Sequence, residues 1–261
     1  MREWLRSVYE WLRRWGSGGP PRSDVDVYFT NYMFLRKTVG WVGTLLPVIL
    51  LAANPIALSL ENSGCGLVPD SVSGYYYSPV RNIFVGALCA LGLFLIAYVG
   101  YDLGDRLVTD LAGVFALGVA LFPTAPTTAS HPSVTCQTVA VVSTREHVVG
   151  DIHLVSAGLM FVFLAWMALR FTSTDKPPYP RKLLRNRIYI ACAIAIIACL
   201  VAAGITSLLP TSVKAHFPWW LFLYEAVAIV AFGVSWFVKG QTLISAIKDV
   251  PGEVPEPVVQ P

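Results

Sequence analysis

Few residues in this 261-residue chain can do chemistry, because ionisable side chains are scarce and most stand at the edges of apolar runs. Three stand out: Arg81 in YYYSPVRNIFVG, His153 in GDIHLVSAG and Glu225 in WWLFLYEAVAIV. Each lies within about two turns of the start of an apolar stretch, so helices running in the same direction would hold them in one layer. Glu225 is the deepest, about 9 Å below Trp219 at 1.5 Å per residue. A charged group costs about 3 kcal/mol at the centre of a bilayer and therefore faces inward and pairs, which makes Arg81 and His153 the natural partners of Glu225. Two readings follow. In one, Tyr75, Tyr76, Tyr77, Arg81, Asn82, His153, Ser156 and Glu225 line a polar pocket that binds a ligand, with the tyrosines as its interfacial wall. In the other, the same ionisable groups form a salt bridge that clasps helices together.

Metal chemistry is the sharper alternative. His147, Asp151 and His153 make the run H-x3-D-x-H, with His131 and His216 as further nitrogen donors on the same side, a ligand set suited to zinc. At about 100° per residue His147 and Asp151 share a helix face, whereas His153 is turned away from it. Zinc is thus the single candidate cofactor, and the preferred expectation is that there is none. Zinc-dependent membrane hydrolases of the alkaline-ceramidase type differ in having seven spans and an H-x3-H pair in the last helix. Haem would need paired histidines at matching depth, and only His153 falls inside an apolar run.

The elements that must position these residues are written in the composition. Of all residues 55% are hydrophobic and 13% are charged, about half the charge of a typical soluble domain; the mean hydropathy is +0.60. A membrane-crossing helix takes about 20 mainly apolar residues, and the pattern recurs in Val39 to Leu58, Asn82 to Tyr101, Leu107 to Thr124, Ile152 to Phe171, Ile188 to Leu209 and Trp219 to Lys239. This predicts an all-α, polytopic membrane protein with six transmembrane helices in one domain, residues 38–241. Residues 17–37 act as a linker, with GSGGPP as its breaker, and residues 242–261 form an irregular, proline-rich tail.

Ahead of that domain, residues 1–16 place Trp4, Leu5, Val8, Trp11, Leu12 and Trp15 on one face of a helix and arginines on the other. Such a segment lies in the membrane interface; it lacks the uninterrupted apolar core of a signal peptide. Lys and Arg concentrate before the first span and between the fourth and fifth, so the positive-inside rule puts both termini in the cytoplasm. The net charge of +3 reflects this asymmetry; no basic soluble module exists to bind nucleic acid. Cys65 and Cys136 fall in the first two outer loops and are predicted to form a disulfide. Cys89, Cys192 and Cys199 fall within spans. Asp102 and its acidic neighbours read as a capped inner turn.

The strings SVSGYYYSPVRNIFVGALCALGLFLIAYVGYD, LAGVFALGVALFP, HLVSAGLMFVFLAW, RNRIY and EAVAIVAFGVSWFVKGQ resemble a bacterial family of six-helix membrane proteins, without an assigned function and distantly similar to the DRAM/Frag group. The resemblance spans roughly Phe34 to Gln241. It implies six spans with the same topology, and it carries no catalytic residues across; the expected location is the bacterial inner (plasma) membrane. The function expected is non-catalytic: an outer-leaflet polar pocket that binds a lipid headgroup or a partner subunit. The alternatives are a membrane-embedded lipid hydrolase with His153 as base or ligand, and an accessory subunit of a larger membrane complex. Membrane lipids are the expected partners.

Overall fold

The computed structural model describes residues 24–61, 68–100, 102–128, 138–139, 142–172, 180–214 and 216–240. The predicted interfacial helix, the predicted disulfide between Cys65 and Cys136, His131 and the proline-rich tail lie outside these residues. Contacts divide the chain into two units, Met1–Phe34 and Leu35–Pro261; the packing discussed below is internal to the second.

The described chain is helical apart from a two-residue parallel pair, β1 (Thr127–Thr128) with β2 (Thr138–Val139). The helices are α1 (Asp24–Glu61), a 3-10 turn (Ser73–Tyr77), α2 (Arg81–Ile96), α3 (Leu103–Leu121), α4 (Thr144–Arg170), α5 (Pro180–Ser207), the short α6 (Thr211–Lys214) and α7 (Trp220–Lys239). Helices follow from runs that are apolar all round, with no strand-like alternation, in a medium where backbone groups must bond within their own segment. Four helical stretches are long and apolar enough to cross a membrane: Met33–Glu61, Thr144–Arg170, Leu183–Ser207 and Trp220–Lys239. The helix α2 is apolar but only 16 residues long, about 24 Å at 1.5 Å per residue, and α3 carries Asp105, Arg106 and Asp110 in its first turns. Leu183, Ile190, Ile194, Ile197, Val201 and Ile205 of α5 are exposed, an apolar surface suited to lipid.

The second unit is assembled in sequence: α2 packs on α3, α3 on α4, α4 on α5, and α5 on α7, which also meets α4. Glycines set the closest approaches. A Cβ on Gly92 would lie 2.9 Å from the Gly113 carbonyl, and one on Gly113 would lie 2.6 Å from the Gly92 carbonyl, so α2 and α3 touch backbone to backbone as small residues allow in membrane helices. The same holds where Gly233 of α7 meets Gly40 and Thr44 of α1.

One end of the unit is cationic. Tyr98, Phe171, Tyr189, Phe232 and Trp236 form a buried aromatic cluster there. Arg36 donates to the Tyr98 hydroxyl at 3.1 Å, and Lys239 sits 5.0 Å from the centre of the Phe171 ring. Arg170, at the end of α4, donates to Asp105 at 2.6 Å and pairs with Asp102. Asp102 in turn caps α3, accepting from the Asp105 amide at 2.8 Å, as expected for this turn. That amide, with the Arg170 guanidinium beside it, holds the Asp102 carboxyl below the usual carboxylate range.

Candidate functional site

At the opposite end, the segment 70–77 leads into α2, and α7 begins against it. The first turn of any helix leaves amides without intrahelical partners. Here the α7 amide of Phe222 finds the carbonyl of Asp70 at 2.8 Å. Glu225, one turn on, reaches back the other way. Its Oε2 accepts the Val72 amide at 2.6 Å and the Ser73 amide at 3.3 Å, and its Oε1 accepts the Ser73 hydroxyl at 3.3 Å. The exchange has the logic of a capping box, but its halves are 153 residues apart.

The layer inferred from the sequence is therefore divided. Glu225 is bound to the 3-10 turn, not to Arg81 or His153. Arg81 is exposed and turns to its own segment, donating to the Tyr76 hydroxyl at 2.6 Å with its guanidinium 4.1 Å from the Tyr76 ring centre. This is a cation–π contact within one loop and helix start. His153 is 3% exposed, and its Nδ1 donates to the Phe122 carbonyl at the end of α3, 2.7 Å away. Ser156 is buried against Gly118 of α3, where an added Cβ would come within 2.7 Å of its hydroxyl. Asn82 is exposed.

The tyrosines also part company. Tyr75 is 0% exposed, edge-on to Phe222, so it is a core residue and no interfacial wall; burial pushes its hydroxyl pKa up to about 12. Tyr76 and Tyr77 are half-buried. Tyr77 donates to the Thr124 carbonyl at 2.6 Å, and its pKa is raised by burial first, then by the neighbouring Tyr76 and Glu146, with Arg81 opposing. The H-x3-D-x-H run separates in the same way: His147 and Asp151 are exposed while His153 is buried. Among the described residues no three His, Cys, Asp or Glu side chains converge on a metal-sized site.

Described residues at this end line a small and a larger cavity. The smaller, about 20 Å³, is lined by Ser73, His153 and Glu225 among apolar residues of α1, α2, α3, α4 and α7, including Leu46, Phe84 and Val119. It brings His153 and Glu225, but not Arg81, to one space, and has no room for a headgroup. The larger, about 520 Å³, lies between the end of α3 and the start of α4. Tyr77, Phe122, Thr124, Ser143, Arg145 and Glu146 are among its lining residues. Ser143 and Glu146 form a capping box for α4, with the Ser143 amide donating to Glu146 at 2.7 Å.

Arg145, Glu146 and Thr124 were absent from the residues picked out in the sequence, although Ser143-Thr144-Arg145-Glu146 carries the S-x-x-E signature of a helix start. Arg170 carries no signal of its role in the sequence, because its partners lie 65 and 68 residues earlier. The amides of Val72 and Ser73 carry no residue-type signal at all. No family model, curated protein or solved structure matches this chain.

Proposed function

We propose that this protein is a multi-pass protein of the bacterial inner (plasma) membrane, with six spans and both termini cytoplasmic, that holds a lipid headgroup without transforming it. The cationic end, with Arg36, Arg170 and Lys239, is the cytoplasmic one under the positive-inside rule. The helices α2 and α3 supply the fifth and sixth crossings as a short hairpin closed by Gly92 and Gly113, short crossings being accommodated by local thinning. The tyrosine end then faces outward. This topology agrees with the bacterial six-helix family that the sequence resembles.

The observation that carries the binding reading is the cavity of about 520 Å³ beside Tyr77. Its size falls within the roughly 300–1,000 Å³ of small-molecule sites. Its walls combine apolar Leu121, Phe122 and Val149 with Arg145 and Glu146, so acyl carbons, a phosphate and an ammonium each find a matching surface. His153, the only buried histidine among the described residues, lines the small cavity instead. That favours binding over the hydrolase reading.

Mass spectrometry of the protein purified with its native lipids tests the proposal. Phospholipid is expected to be retained by the wild type and about tenfold less by Arg145→Ala, the effect of losing one charge-assisted phosphate contact. Equal retention by both proteins excludes this cavity as the headgroup site.

A further inference from the structure

We propose that the small cavity between His153 and Glu225 is a binding site for a single water molecule, which bridges the two side chains. Three observations converge on it. The cavity measures about 20 Å³, and one water needs at least about 10–15 Å³. His153 lines it and is 3% exposed; its Nδ1 is committed to the Phe122 carbonyl, while its Nε2 is buried without a hydrogen-bond partner among the described residues. Glu225 lines it as well, and its Oε1 holds one contact, with the Ser73 hydroxyl at 3.3 Å. That is long for an O–H···O bond and leaves lone-pair capacity for another donor.

The chemistry selects water over other occupants. A carbonyl can only accept, so the proton on His153 Nδ1 points at Phe122 and the neutral ring presents a lone pair at Nε2. A carboxylate also only accepts. Two acceptors facing one space need a molecule with two donors, and water donates one proton to each. If the ring gains a proton the same water accepts from Nε2–H and still donates to Glu225, so the site is filled in either state. A buried polar atom left unpaired costs about 1–3 kcal/mol, which the water removes at His153.

The bridge ties four elements together. Glu225 of α7 holds the turn that carries Tyr75 to Tyr77, and His153 of α4 holds the end of α3 through Phe122. This inference is independent of what fills the larger cavity.

The test is a structure of the full chain in lipid nanodiscs, resolved finely enough to show individual waters, beside water-edited NMR on protein with isotope-labelled histidine. The expected result is one density peak at about 2.7–3.2 Å from His153 Nε2 and from a Glu225 oxygen. A transfer of magnetisation from water to a histidine signal should accompany it and disappear in His153→Phe, whose ring fills the space. An empty cavity overturns the proposal, as does a direct bond between His153 and Glu225. A peak surrounded by oxygens at about 2.4 Å, the spacing of a bound cation, also overturns it. Should His153→Phe fail to fold, the density in the wild type decides alone.

Discussion

Glu225 is a carboxylate within an apolar helix that is held by amides. Glu225→Ala strips the Val72 and Ser73 amides of their acceptor, and an unpaired buried donor costs about 1–3 kcal/mol; thermal unfolding in detergent should show a loss of about 2–3 kcal/mol. An unchanged midpoint would mean that the turn is seated by Tyr75 and Phe222 packing alone. At the other end, Asp102 makes acid stability the readout. Its carboxyl is held below its ordinary value of 3.8, first by the Asp105 amide, so what it contributes is intact above pH 3.8 and is lost as pH falls through the lower, folded value. Asp102→Asn keeps a capping oxygen and removes the titration. Its stability profile should therefore be flatter than the wild type's below pH 3.8, and parallel profiles would reject the role. The sequence places Glu225 and His153 within apolar runs, and the structure buries His153 and sets Glu225 in the same small cavity. Their partnership was not legible, because the partners are main-chain groups of Val72, Ser73 and Phe122, which every residue type possesses.

Helix contacts turn on which glycines are crowded. Gly113→Leu drives a side chain into the Gly92 carbonyl, 2.6 Å from where its Cβ would stand, and should cost 1–3 kcal/mol or more, about the penalty of overpacking. Gly158 of α4 is the control. Nothing lies within 4 Å of a Cβ there, so Gly158→Ala should be neutral or add up to about 1 kcal/mol through helix propensity. Equal destabilisation of both variants would remove the argument for a backbone-tight α2–α3 crossing. Element ends show where sequence reading stops. The fourth apolar run begins at Ile152, yet α4 begins at Thr144, because a capping box sets where a helix starts and hydropathy senses only where lipid does. Likewise the second apolar run reaches Tyr101, whereas α2 ends at Ile96. Beyond it the chain must pass at Gly100, where an added Cβ would fall 2.1 Å from that of Asp105; no side chain fits.

Across the molecule, charge separates the ends: Arg36, Arg170 and Lys239 gather around one aromatic cluster, while Arg81 and Arg145 stand at the other. A thiol placed at Ser78 in a cysteine-free background should react with an impermeant label in intact cells, and one at Thr172 only after the membrane is opened. The reverse pattern inverts the orientation. Composition made the membrane character readable from the sequence, since 13% charged residues cannot clothe a soluble surface of this size. The larger cavity was not readable: the S-x-x-E signature marks where α4 starts, but not that the end of α3 and Tyr77 stand opposite it. The bond between Glu225 and Val72 also has a consequence for how the protein is made. At about 5–20 residues per second, a ribosome needs roughly 8–30 s to cover the 153 residues between them. During that interval the turn has neither its carboxylate nor Phe222 against Tyr75, although α2 behind it has already been synthesised. The early α2–α3 pair must therefore wait half-seated, and the arrival of α7 is the step that closes it.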